Sequence, residues 1–400
     1  MIAACLLILC NSFNMQAQQT DNQLRVSYFT TKDTTITNSH HEPKSVLHRE
    51  QVSHHFKDDR NKYLNQKAEN KKDSNIIIDN TGVNNKRFEG SLYSEVNYGR
   101  HGDLDSPDLL DLPHFIINGH LHLGKGWTVV AELEYEQFYE NKQWEYKFDG
   151  NFTSNKLYIA KDFSKAFSAK AGIIEVPVGI VNAGGPALTI YDPESESNII
   201  PMTWHEGGAS IYGSLGKWDY QIGGYIYTSL PLKNSQMLGG AIRLNYYPIN
   251  GLRMGVSSYW GTPCKSQYHR QDLNFLGTDG LWYGAFDFDY QENGWIIDGS
   301  AIYCTDQSAK SAGIEIGYDF FETTEKTDKM ELIPFMRYDG LFHLGELNFN
   351  KYTVGINFSP LKNLVVKGEY AIRHHQGGFE EGEKATWHSF DIGVSYTWEF

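Results

Sequence analysis

The stretch F390-D-I-G-V-S-Y-T-W-E-F400 closes the sequence with a bulky apolar side chain at every second position. Alternate residues of an extended strand point to opposite faces, so Phe390, Ile392, Val394, Tyr396, Trp398 and Phe400 share one face. Asp391, Gly393, Ser395, Thr397 and Glu399 share the other. One face suits hydrocarbon and the other water. A half-buried strand of a soluble sheet alternates in the same way, but a terminal strand there usually frays or carries a polar tail.

Composition narrows the choice. In 400 residues with 40% apolar side chains and a mean hydropathy of −0.47, no run of about 18 apolar residues follows the N-terminus, which excludes a bundle of membrane-spanning helices. Aromatic residues make up 14%, and 25 Tyr, 22 Phe and 38 Gly suit a membrane barrel, with aromatic girdles at two interfaces and glycines at bends. A soluble β-sandwich also fits that composition.

Residues 1–17, MIAACLLILCNSFNMQA, read as a secretory signal peptide with a small-residue cleavage site at Ala17. The first basic residue is Arg25, so the usual positive start is missing, and Leu9 is too bulky to precede a lipidated Cys10. Residues 18–87 are polar and lack sustained periodicity, as expected of a periplasmic or disordered extension that buries no core. His40, His41, His48, His54 and His55 cluster there; a solvated His-rich linker is the simpler reading than a metal site.

From residue 88 to 400 the chain reads as sixteen segments of two-residue period. Tight turns occur at Gly124-Lys125-Gly126, Ser164-Lys165-Ala166, Leu215-Gly216-Lys217, Pro248 to Gly251 and Gln291 to Gly294. The alternate connections are mostly longer. An even number of antiparallel strands with short turns at one end and long loops at the other predicts an all-β, 16-stranded transmembrane β-barrel, with periplasmic turns and external loops. Trp127, Val129, Ala131, Leu133 and Tyr135 are expected to face lipid while Thr128, Glu132 and Glu134 face inward. Tyr352, Val354, Ile356 and Phe358 likewise face out, and Thr353, Gly355 and Asn357 in. Segment 330–339 fits worst, because Ile333 and Phe335 fall beside Arg337, which suggests a bulge or a register slip.

Two resemblances add to this reading. The alternating terminal strand, with Trp398 and Phe400, resembles the signal read by the barrel assembly machinery of Gram-negative outer membranes, which implies that machinery, membrane lipid and lipopolysaccharide as partners. The strand-turn-strand from Lys156 to Gly179, KLYIAKDFSKAFSAKAGIIEVPVG, resembles the phosphate-selective porin O and P family over about residues 88–400. The resemblance implies a porin, commonly a homotrimer, passing small hydrophilic solutes without catalysis or cofactor.

The longest connection, residues 175–206, resembles in position and size the porin loop that folds inward to narrow the barrel; loops of this length are usually functional. Between Ala171 and Gly216 it carries no Lys or Arg, while Glu175, Asp192, Glu194, Glu196 and Glu206 are present. A carboxylate constriction concentrates cations and repels phosphate, so a cation-preferring or general pore is expected and phosphate selectivity is not. Arg243, Arg253, Arg337, Lys367 and Arg373 fall on inward positions with Glu132 and Glu134. Opposed to an acidic loop they would set a field across the pore; otherwise they form wall salt bridges.

His120 and His122 share the inward face but read more simply as hydrogen-bonded wall than as metal ligands. An adhesin or structural barrel is the alternative, supported if the lumen is closed. A rim hydrolase is a further one, with His205, Glu206 and Ser210, or His374, His388, Ser389 and Asp391, as its candidates, although no nucleophile motif occurs. Cys264 and Cys304 fall at the same rim, two strands apart, where a leaning loop would let them bridge.

Overall fold

In the computed structural model the described residues are 87–102, 108–140, 142–146, 153–182, 188–200, 204–226, 238–261, 281–305, 308–322, 330–344, 347–375 and 386–400. The expected signal peptide, Cys264 and all but the last residue of the polar extension lie outside them.

Seventeen strands form one antiparallel sheet: β1 (Phe88–His101), β2 (Asp108–Gly124), β3 (Trp127–Glu140), β4 (Gln143–Tyr146), β5 (Thr153–Ser164), β6 (Phe167–Glu175), β7 (His205–Leu215), β8 (Trp218–Ile226) and β9 (Leu238–Tyr246). Then follow β10 (Leu252–Gly261), β11 (Leu281–Glu292), β12 (Trp295–Cys304), β13 (Lys310–Tyr318), β14 (Glu331–Leu344), β15 (Leu347–Leu361), β16 (Leu364–His375) and β17 (Thr386–Glu399). Because β1 pairs with both β2 and β17, the sheet closes on itself and leaves no edge. The four-residue β4 only extends the outer end of β3, which pairs lower down with β5. The ring therefore has sixteen strands, and no described helix is long and apolar enough to cross a membrane.

The opening stretch supplies the seam. Phe390, Ile392, Val394, Tyr396, Trp398 and Phe400 all lie exposed on the outer face, while Asp391 is buried inward. Gly90 and Phe400 exchange backbone hydrogen bonds of 3.1 and 2.9 Å, and the Phe400 ring stacks 6.0 Å from Phe88. The faces assigned to β3 and β15 hold: Trp127, Tyr352, Val354, Ile356 and Phe358 are exposed, whereas Glu132, Glu134, Thr353 and Asn357 are buried. Left-handed backbone makes the turns at one end tight, at Gly124, Lys125 and Gly126, at Gly216, at Gly251, and at Asn293 and Gly294.

Three details differ from the sequence expectation. Strand β2 begins at Asp108, whereas its two-residue period reads in the sequence only from about residue 114, because a register shift between Asp111 and His114 interrupts the alternation. At the long-loop end β14 joins β15 through residues 345 and 346 alone, while residues 319–330 link β13 to β14 at the short-turn end. On β14, Ile333, Phe335, Arg337 and Asp339 are all buried on one inward face, with unbroken pairing to β15 and, from Phe335 onward, to β13. Neither bulge nor slip is present there. Ile333 and Phe335 face inward because Leu188, brought in by the loop after β6, packs on them.

Candidate functional site

The described residues of the connection between β6 and β7, 176–182, 188–200 and 204, lie inside the barrel, and apolar side chains seat the base. Ile174, Val176, Val178, Ile180, Ile199, Ile200 and Trp204 pack on the inward tyrosines Tyr225, Tyr259 and Tyr283 of β8, β10 and β11. The Trp204 ring lies 4.8 Å from Tyr259 and 5.7 Å from Tyr283. Burial of each such side chain contributes about 1.5–3 kcal/mol, enough to draw a polar-flanked loop off the rim. Backbone bonds close the base: Val176 N donates to Trp204 O at 2.8 Å, and Trp204 N to Asn182 Oδ1 at 2.8 Å. Gly179, at φ 79°, donates to Ser257 Oγ and accepts from Arg243.

From this base the loop crosses to the other side. Leu188 N donates to Glu315 Oε1 at 2.6 Å, Asn357 Nδ2 to Leu188 O at 2.9 Å, Lys367 Nζ to Thr189 O at 2.8 Å and Ile190 N to Glu369 Oε2 at 2.8 Å. Tyr191 meets the His101 ring of β1, edge to face. A single helical turn, α1 (Glu194–Ser197), follows; Ser195 Oγ donates to Asp339 Oδ1 at 2.6 Å, and Glu194 pairs with Arg373 at 2.5 Å and Lys351 at 3.1 Å. Counting ring strands from β7, β15 is the eighth, half-way round the sixteen. The segment thus spans the lumen from wall to opposite wall.

The five loop carboxylates divide into two groups. Glu175 ends β6 and pairs with Lys170 of the same strand, while Glu206 lies in β7 and accepts from Trp204 Nε1 at 3.2 Å; both belong to the wall. Asp192, Glu194 and Glu196 lie in the crossing segment and are buried or nearly so. Glu196 accepts from Val181 N at 3.1 Å and Ser300 Oγ at 3.0 Å, and burial pushes its carboxyl up to about 7. Glu194 reaches the basic groups Arg373 and Lys351 of the far wall.

The inward arginines answer the choice left between a transverse field and wall salt bridges. Arg243 binds Asp287 through two nitrogens, at 3.0 and 2.6 Å, and Arg253 bridges Asp287 and Asp289. Arg337 sits among Asp298, Glu315 and Asp339 at 3.5, 3.6 and 2.9 Å. These pairs form a belt on β9 to β14, and Arg373 with Lys351 makes the loop contact. Lys367 serves as a loop tether, and Glu132 pairs with Lys156 at 3.1 Å. Among the described residues, fifteen buried carboxylates accompany five buried Lys and Arg.

His120 and His122 face inward and are half-exposed, as are Thr128, Ser395 and Thr397, so the lumen toward the short turns is bordered by wetted polar groups. Of the residues considered for a rim hydrolase, His388 is exposed and bonds Tyr370 on the outer face, while Asp391 is buried inward against His101 at 2.5 Å. Cys304 is buried at the end of β12. Sequence reasoning missed the apolar layer, Ile302, Leu341 and Phe349 included, that continues from the loop base around the inner wall to β15. Its signal was present in the paired Ile and Val of residues 173–181, which a solvated loop would not carry.

No protein-family profile matches the chain. A protein of undescribed function from Aquifex aeolicus is 24% identical over 329 residues, 76% of this chain and 71% of that one. Among solved structures, Salmonella typhi OmpF in complex with daunomycin superposes with a TM-score of 0.57 at 11% identity, covering 78% of this chain and 97% of the other. A mutant of Rh. blastica porin gives 0.51 at 10% identity, covering 78% and 100%. At such identities the likeness is one of fold: this chain is a closed sixteen-stranded barrel of the kind the general bacterial porins have.

Proposed function

We propose that the chain is an outer-membrane porin, in which small hydrophilic solutes and ions diffuse passively past the segment 176–204. The observation that carries this reading is the path of that segment, tethered to β13–β16 half-way round the ring from its own base. A crossing bar narrows a barrel without filling it, and the wetted polar wall toward the turns suits water. The excess of buried carboxylates over Lys and Arg supports a cation preference, since a low-dielectric lumen of one sign concentrates counter-ions. Phosphate selectivity, which the resemblance to the O and P porin family implies, runs against that charge. Asp192, Glu194 and Glu196 are assigned to the constriction, and Glu175 and Glu206 to its wall. A homotrimer is the assembly that the resemblance implies.

A structural or adhesive barrel is favoured by one observation, the apolar layer running from the loop base to β15 inside the lumen. Planar-bilayer recording with the purified protein separates the two. Discrete, ohmic conductance steps are expected of the porin; an electrically silent, correctly folded barrel would support the closed reading.

A further inference from the structure

On the inner wall, away from the arginine belt, β1 to β5 bring together a second set of groups. A bulge in β2 between Asp111 and His114 turns both side chains inward, where regular alternation would send one of them out. His114 pairs across to Glu136 on β3, and Glu134 lies two residues before Glu136 on the same face. A register shift at β5 sets Asn155 beside them, its Nδ2 donating to Glu134 Oε2 at 2.6 Å and leaving Oε1 turned to the histidine. His114 is 1% exposed, and neither of its ring nitrogens makes a hydrogen bond.

We infer that His114 Nε2, Glu134 Oε1 and a Glu136 carboxylate oxygen form a binding site for a divalent transition-metal ion such as zinc. The three ligand atoms lie within 4.8 Å of one another. His114 Nε2 stands 3.3 Å from Glu134 Oε1, which matches the roughly 3.3 Å between two ligands each about 2.05 Å from a tetrahedral ion. On the opposite edge of the ring, Glu95 Oε1 and Asp111 Oδ2 both lie 3.9 Å from Nδ1. With an ion on Nε2 the ring proton sits on Nδ1, on the side of those two carboxylates, which lie too far away to accept a hydrogen bond from it. One imidazole with two carboxylates selects zinc-class ions over magnesium or calcium, which take oxygen alone.

The test is zinc binding by the full chain, chelator-treated, with His40, His41, His48, His54 and His55 replaced by alanine so that the tail does not compete. One equivalent of zinc is expected. His114→Ala and Glu136→Gln should each lose it, Asn155→Ala should weaken it by about 10- to 100-fold as removal of an outer-shell partner does, and His120→Ala should leave it unchanged. X-ray absorption of the bound ion should show nitrogen and oxygen neighbours only. Glu136→Gln, which keeps shape and removes charge, decides the matter if His114→Ala fails to fold by heat-shift electrophoresis. A parent that binds no zinc, or folded variants that bind as well as the parent, would overturn the site and leave His114 an imidazolium paired with its carboxylates. Binding is read without any current, so the outcome is independent of whether the barrel conducts.

Discussion

Arg337 shows how much a single inward side chain holds. It faces Asp298, Glu315 and Asp339 with almost no exposure, so removing it leaves three buried carboxylates without their shared counter-charge. Breaking a buried pair from one side typically costs about 3–5 kcal/mol. Arg337→Ala should therefore lower the temperature at which the barrel converts to the unfolded band on gels, and Arg337→Lys, lacking the planar fork, should recover only part of the loss. At Gly179 the constraint is backbone: φ is 79°, and an added methyl would run into Glu196 Oε1. Gly179→Ala should loosen the loop base, at about 1–3 kcal/mol for a side chain held in that region, and raise protease cleavage within 176–204 while the barrel stays folded. Neither demand was visible in the sequence. Arg337 read as misplaced among apolar neighbours, because the loop residue that covers Ile333 and Phe335 is about 150 positions distant in the chain.

Among the elements, strands were legible and the loop's attachments were not. A period of two survives wherever one face meets lipid and the other a polar lumen, so β3, β15 and β17 have the faces their residues foretold. The first half of β2 was lost because its bulge reverses the phase, and β4 because four residues carry too short a pattern. Carboxylates in the crossing segment were visible, but their partners depend on which wall the loop reaches. Trp204 is the chief apolar anchor, and truncating a buried Trp costs about 3–5 kcal/mol; Trp204→Ala should detach the loop base and enlarge the single-channel conductance. Glu196 adds a pH dependence. Burial raises its carboxyl to about 7 from an ordinary 4.5, so the docked loop holds the proton more tightly than a detached one. The stabilisation is complete below about pH 4.5 and fades as pH rises through about 7. Proteolysis within the loop should accelerate between about pH 4.5 and 7 in the parent and stay level in Glu196→Gln.

For the whole molecule, closure and charge carry the argument. The ring closes through β1 and β17, leaving no exposed edge, and its outer face presents the apolar side chains that the terminal stretch first displayed. Inside, the salt-bridge belt on β9 to β14 pairs its arginines locally, and the proposed cation preference rests on the buried carboxylates in excess of them. The acidic loop read in the sequence points to the same preference, and of the basic residues it was expected to face it meets Arg373 through Glu194 and Lys367 through Thr189 O. The decisive measurement is the reversal potential of the reconstituted protein under a tenfold potassium chloride gradient. A potential of the sign set by potassium crossing faster than chloride is the predicted result, and one of the opposite sign would contradict the account.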